Sequence, residues 1–511
     1  MKRMACRVWL SATALLMAAV PMFAAPPAAD FLFGPQAQME VVGTPRDQNA
    51  RAIEMQQLQE RLAARQVDQA LKQPAVVRLS AAERRQIDTP GPGVEKRYMV
   101  GLAKPVGAVS FSRSGDGLVW SAAVRVPGAT ALRLHLTGVD LAGSRLYVYN
   151  LAGHAFGPYT GRGPLNDGVL HTNTVFGEQL LLQIQLPADS PRAPRLTVEE
   201  VGVLGARFVA PRYNARGAFS MDDMNAITAQ ASNLCSTNAN CVVNAACTSS
   251  SVVSDAKDAI AGILFQSGAS LYICTGGLVA DTVSTSVIPY FLTAHHCISS
   301  SGEASSLETY FDYQTTCSNP NCTQPYNNAG DTVGSTIMAS GSTSDYTLVR
   351  LASTPVTADG VATYLGWLST PVANTNNLAL YRISHPKGSP QAYSEGVVDT
   401  TKGTCRTLAR GNFIYSRDTL GATEGGSSGS PVVNSAGQIV GQLYGACGTD
   451  VNNVCNAAAN ATVDGAFAVS YPNLAAFLNP GGGGSCGGSG SACTSSSQCC
   501  SPLSCKGKIC R

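Results

Sequence analysis

The sequence predicts a mainly β, multidomain protein destined for export. Short alternating apolar runs are separated by Gly, Pro and Asp, and 51 glycines accompany only 13% charged residues. All of the 17 cysteines except Cys6 follow residue 234, a usage that suits disulfides formed outside a reducing cytosol. A chain of 511 residues exceeds one ordinary core, so two or three folded units are expected. A formal net charge of +2 without a long basic run gives no electrostatic basis for binding nucleic acid.

Residues 1–25 read as a signal peptide: Lys2, Arg3 and Arg7 precede an apolar run over 8–20, and Ala24 and Ala25 follow. The run is shorter than the ~20 apolar residues that span a bilayer, so no membrane span is expected. Residues 26–95 read as a helical N-terminal pro-segment, because Ile53, Leu58, Leu62 and Leu71 recur among polar residues until Pro74. Alternation over 118–126, 132–136, 146–149 and 180–186 makes 96–205 a cysteine-free β-sandwich. Its histidines, His135, His154 and His171, are too scattered to suggest a metal site.

Residues 206–234 carry Arg207, Pro211, Arg212, Arg216 and Gly217 with little periodicity and read as a linker open to maturation cleavage. The block 235–480 has strand-like runs at 271–279, 287–293, 346–351, 438–444 and 466–469, then a short helix over 471–478 that Pro480 ends. A flexible Gly linker, 481–485, leads to a separate tail, 486–511. Residues 233–480 carry 8 basic and 15 acidic side chains, whereas 26–232 carry 21 and 18, so a slightly positive pro-region can sit on a negative partner.

Three short stretches of this block supply the groups that nucleophilic catalysis by serine requires: a hydroxyl on a tight turn, an imidazole to take its proton and a carboxylate to orient the imidazole. Ser428 lies in the glycine-rich turn 425–431, followed by the apolar Val432 and Val433. Such a turn can aim the amides of Gly426 and Ser428 at one point, as an oxyanion hole does. His295 and His296 end an apolar run, and with His385 they are the only histidines of the block. His385, followed by Pro386, reads as a packed or surface turn residue. Asp345 sits just before the run 346–351. None of this chemistry needs a cofactor or a metal.

The order His, Asp, Ser, within Thr-Ala-His-His-Cys (293–297), Ser-Asp-Tyr-Thr-Leu (344–348) and Gly-Ser-Ser-Gly-Ser-Pro (426–431), resembles the chymotrypsin-like serine peptidases, in particular their bacterial lysyl-endopeptidase branch. The resemblance covers about 240 residues. It implies a double six-stranded β-barrel with the site in the cleft between barrels. It also implies His296 as base, Asp345 as orienting acid, Ser428 as nucleophile and a Cys274–Cys297 disulfide. Ser427 replaces the acid that in animal relatives receives a new N-terminus, so activation by removal of a covering pro-region is expected instead. For specificity, the resemblance points to Tyr444, Gly445, Thr462, Asp464 and Gly465. Thr462 stands where the family has its pocket acid, Asp464 lies nearby, and Tyr444 replaces a histidine. The resemblance therefore implies a preference for basic residues, through a pocket whose acid is displaced.

The tail spaces its six cysteines C-x6-C-x5-C-C-x4-C-x4-C, which resembles inhibitor cystine-knot miniproteins. By that resemblance Cys486 pairs with Cys500, Cys493 with Cys505 and Cys499 with Cys510; spacing alone permits fifteen arrangements. The sequence thus reads as a secreted, monomeric serine endopeptidase precursor that acts on protein or peptide substrates, with its own pro-region as intramolecular inhibitor. The alternative is a catalytically silent secreted binding protein that displays the tail as an inhibitory or adhesive module.

Overall fold

The computed structural model describes residues 35–480 apart from 46, 48–49, 90–94, 190–191, 209–233, 236, 255, 284–286, 319–321, 323–330, 356–359 and 406. It also describes the backbone of two paired tail strands, Cys505–Lys506 and Ile509–Cys510. The expected signal peptide, the cleavage linker and the tail disulfides lie outside these residues.

The N-terminal arm is not wholly helical. It opens with strands β1 (Gln36–Ala37) and β2 (Glu40–Gly43) before helix α1 (Ala50–Ala63). A second long helix, α2 (Ala81–Asp88), starts at a capping box in which Ser80 and Glu83 satisfy each other's backbone amides.

The sandwich follows as β3 (Tyr98–Pro105), β4 (Val119–Arg125), β5 (Ala131–Asp140), β6 (Arg145–Tyr149), β7 (Ala155–Tyr159), β8 (Gln179–Gln185) and β9 (Arg195–Leu204). One sheet runs β4–β8–β6–β7 and the other β5–β9–β3. Alternation explains the layering: Leu132, Leu134 and Leu136 project from one face of β5 into a core with Val124, Val148, Leu182 and Ile184 of the facing sheet.

The first barrel comprises β10 (Ile260–Ser267), β11 (Ser270–Leu278), β12 (Tyr290–Ala294), β13 (Glu308–Tyr310), β14 (Asp331–Val333), β15 (Ser335–Gly341) and β16 (Tyr346–Leu351). β14 and β15 act as one strand bent at Gly334, whose φ of +84° suits glycine, so the pairings β13–β10–β11–β12–β16–β15 nearly close into a six-membered ring. The free edge of β11 is covered by β3, with Ser270 opposite Leu102 and Ile273 opposite Tyr98. Tyr98, Val100, Phe176, Phe208, Leu271 and Ile273 form one apolar cluster across this junction.

Between barrels, β17 (Val361–Tyr364) pairs with β2, and β18 (Trp367–Leu368) pairs with β1. The second barrel uses β19 (Ala379–Ser384), β20 (Ala392–Val398), β21 (Phe413–Leu420), β22 (Pro431–Val433), β23 (Ile439–Gly448) and β24 (Asn460–Ala466). Their pairings run β19–β20–β21–β24–β23–β22 and return to β19, a closed ring. The protein thus has the double β-barrel architecture.

Helix α3 (Phe467–Leu478) closes the block and begins where a strand over 466–469 was expected. Phe467, Ser470, Leu474 and Leu478 share its buried face, so the apolar residues at its start serve a helical period rather than an alternating one. Five disulfides, 235–322, 241–455, 247–317, 274–297 and 405–447, pair all ten cysteines of this block among themselves.

Candidate active site

β12 ends at Ala294, and the turn that follows carries His295 and His296 toward β16, with which β12 pairs throughout. Cys297, bonded to Cys274 of β11, pins this turn. Asp345 precedes β16 and reaches back with both carboxylate oxygens. Oδ1 accepts from the His296 backbone amide at 2.9 Å, and Oδ2 lies 2.7 Å from His296 Nδ1. The His295 amide donates to the Asp345 carbonyl at 2.9 Å, while its ring turns away to Ser340 at 2.8 Å. Of the two neighbouring histidines, His296 is the one aligned on the acid.

Asp345 is buried and adopts φ +53°, an uncommon conformation for a residue with a side chain. Gln442 of β23 braces it, donating through Nε2 to the Ser344 carbonyl at 2.7 Å and the Asp345 carbonyl at 3.2 Å. Ser344 also bonds Ser470 of α3 at 2.8 Å. Gly465 completes the support: a Cβ there would lie 1.8 Å from the Ser344 carbonyl oxygen.

Ser428 comes to the same place from the second barrel. Its carbonyl accepts from the Thr275 amide at 2.8 Å and lies 3.7 Å from Cys297 Sγ, beside His296. Gly426 (φ +98°) and Gly429 (φ +83°) set the sharp turn, and a Cβ on Gly429 would lie 2.2 Å from Thr293 Oγ1. The His296–Ser428 hydrogen bond is not formed: His296 Nε2 is buried and has no hydrogen-bond partner.

Sequence reasoning missed what anchors this turn. Glu424 pairs with Lys387 at 2.7 Å and accepts from Asn238 at 2.9 Å and from the Ala239 amide at 3.2 Å. Ser427 bonds Ser384 at 3.0 Å and accepts from the Glu424 amide at 3.3 Å. An acid three residues before Ser427 therefore does the holding, and only the Thr-Glu-Gly-Gly text could have hinted at it.

The residues expected to line a pocket divide. Asp464 is fully buried in the second barrel and paired with Arg382, and the Thr462 hydroxyl donates to Asp418 at 2.8 Å. Burial raises the Asp418 carboxyl to about 6 against that hydrogen bond. Gly465 supports Ser344 instead of facing open space, and Gly445 takes φ +149° with nothing within 4 Å of an added Cβ. Tyr444 stands beside the imidazole, its ring edge-on to His296 at 5.7 Å and to Phe413 at 5.4 Å. His385 is buried behind the Ser428 turn, its amide donating to Thr275 Oγ1 at 3.1 Å and its ring stacked on Tyr313 at 5.7 Å, and burial pulls it down to about 4 despite its bond to the Ser389 carbonyl.

A segment of the N-terminal region crosses this site. Lys96 Nζ sits 3.5 Å above the centroid of Tyr444. The Glu95 carbonyl oxygen would lie 2.4 Å from a Cβ on Gly425. Arg97 donates to the His296 carbonyl and to Ser267 at 3.1 Å, and pairs with Glu303 at 3.0 Å.

Residues 230–461 match the family model described as lysyl endopeptidase, C-terminal domain. Over 283 residues the chain is 31% identical to a lysyl endopeptidase of Pseudomonas aeruginosa, covering 53% of this chain and 55% of that protein. It is 28% identical over 207 residues to the secreted RxLR effector protein 73 of Plasmopara viticola, covering 39% and 48%. The chain spans about half the length of these curated relatives. Among solved structures, the Rv3671c protease from M. tuberculosis in its active form aligns at 13% identity and TM-score 0.31 over 46% of this chain and 88% of that one. The HtrA-type protease AlgW with tripeptide aligns at 15% and 0.32 over 45% and 63%. The strand pairings above, not these partial overlaps, establish the architecture.

Proposed function

We propose that the chain, whose residues 230–461 match the model of the lysyl endopeptidase C-terminal domain, is the precursor of a secreted serine endopeptidase with Ser428 as nucleophile. The observation that carries this reading is the part-buried His296–Asp345 pair beside the Ser428 turn. Ser428 Oγ attacks the scissile carbonyl as its proton passes to His296 Nε2; Gly426 and Ser428 amides receive the oxyanion. The C–N bond breaks as His296 returns the proton to the leaving amine. Water, deprotonated by the same imidazole, then releases the acyl group and restores the serine. The five disulfides support an oxidising, extracellular destination.

The N-terminal region acts as the inhibitor in this reading. Residues 95–97 lie over the site, and the buried, unbonded Nε2 of His296 fits a cleft not yet assembled. Cleavage between 205 and 234 begins activation. A basic-residue preference is part of the proposal and takes support from the relative's name. The test is labelling with a fluorophosphonate before and after limited proteolysis of the secreted precursor. We expect labelling to rise once the cut N-terminal region has been released and to vanish in Ser428→Ala. Label retained by that variant, or no gain after the N-terminal fragment has been removed, would sink the respective halves of the proposal.

A further inference from the structure

Neither acid near the expected pocket offers a free carboxylate beside the catalytic pair: Asp464 is committed to Arg382, and Asp418 lies enclosed against Thr462. The cation found at the site meets an aromatic face instead. We infer that the face of Tyr444 is the seat for a cationic substrate side chain, and that Lys96 holds this seat in the precursor. The inference rests on the endopeptidase reading above and names the group that would recognise a basic residue.

Three observations carry it. First, Lys96 Nζ stands 3.5 Å from the ring centroid, inside the range where a ring quadrupole attracts an ammonium. Second, the ring is fixed on two sides, by His296 at 5.7 Å and Phe413 at 5.4 Å, both nearly perpendicular at 75° and 71°. Its face is therefore presented rather than free to turn, and a cation on it lies one ring away from the imidazole. Third, the neighbours of Lys96 dock across the same site, Glu95 against Gly425 and Arg97 against the His296 carbonyl. Lys96 is thus part of a chain segment laid over the catalytic residues, not an isolated surface contact. The surrounding block, with 8 basic and 15 acidic side chains, adds long-range attraction for a cation.

The seat is shallow, since Lys96 remains exposed, so it should contribute as an exposed cation–π contact does. The experiment compares kcat/KM of the processed secreted enzyme on peptide pairs that differ only by lysine or norleucine, placed in turn at each position around the scissile bond. At one position, Tyr444→Leu should lower the lysine-to-norleucine ratio by about 2–5-fold, and Tyr444→Phe should keep most of it. In the uncut precursor, Lys96→Met should speed fluorophosphonate labelling by about 2–5-fold, while Lys96→Arg should not. If Ser428 labels normally but the ratio is the same in Tyr444→Leu at every position, Tyr444 is not the seat. Unchanged labelling in Lys96→Met removes Lys96 as its occupant. A protein that neither labels nor cleaves any peptide overturns the endopeptidase reading and this inference with it.

Discussion

Gly465 and the Ser344 carbonyl are in such close approach that a methyl group on the glycine would sit 1.8 Å from the oxygen and 2.2 Å from Gln442 Nε2. The glycine is therefore part of how Asp345 is held, although it belongs to another barrel. Gly465→Ala must push Ser344 or Gln442 aside and so tilt the neighbouring acid. We expect kcat to fall by up to about 100-fold with KM little changed, measured on a chromogenic peptide. Wild-type kcat would show that the support is dispensable.

Asp345→Asn removes the charge facing His296 Nδ1 and permits the wrong tautomer. The expected loss in kcat is about 10,000-fold. His295→Ala, whose ring bonds Ser340 instead, should cost far less. Equal losses from both variants would contradict the alignment on His296.

Glu424→Gln keeps the shape of the side chain but ends its pairing with Lys387. The Ser428 turn loses its anchor, and fluorophosphonate labelling should slow by about 10–100-fold in a protein whose circular dichroism is unchanged. Labelling at the wild-type rate would assign Glu424 no part in holding the turn.

Asp464→Asn leaves the Arg382 guanidinium buried without its counter-charge, at a cost of about 3–5 kcal/mol in denaturant unfolding. The joint change Arg382→Met with Asp464→Leu should recover most of it. A variant of wild-type stability that merely cleaves lysine substrates less well would return Asp464 to the role of pocket acid.

Two buried groups tilt stability with pH in opposite directions. His385 titrates near 6.5 in an unfolded chain and about 4 when folded, so its contribution is full above 6.5 and is lost as pH falls toward 4, by about 3 kcal/mol. Asp418, raised from 3.8 to about 6, does the reverse: its contribution is full below 3.8 and is lost as pH rises through 6. His171, also lowered by burial, works in the same direction as His385. Asp418→Asn should therefore steepen acid destabilisation between pH 6 and 4, and His385→Gln should flatten it. Parallel unfolding curves for all three proteins would reject both assignments.

The candidate trio His296, Asp345 and Ser428 stands out in the text because the proposed chemistry demands fixed residue types on fixed kinds of turn, and glycines at 426 and 429 advertise the turn even without coordinates. The sandwich and most barrel strands were legible by alternation. What escaped was non-local. β1 and β2 join β18 and β17 through backbone hydrogen bonds, which leave no side-chain pattern in an arm that otherwise reads as helix. The partner of Asp464 is 82 positions away, and Thr462 finds its carboxylate 44 positions away, so neither commitment is visible in the local text. At 466–469 a brief apolar run fits both periods, and only the packing of Leu474 and Leu478 decides for helix.

β3 has one edge on β9 and the other on β11, and this double membership makes a peptide-bond cut between 205 and 234 an incomplete event. Such a cut breaks none of the ladder hydrogen bonds described along either edge. The clipped halves would stay zipped until that ladder parts, so latency would outlast the scission itself. The clock for release is then set by how firmly a handful of amides and the apolar seam beneath them hold, and a second proteolytic event within β3 would shorten it.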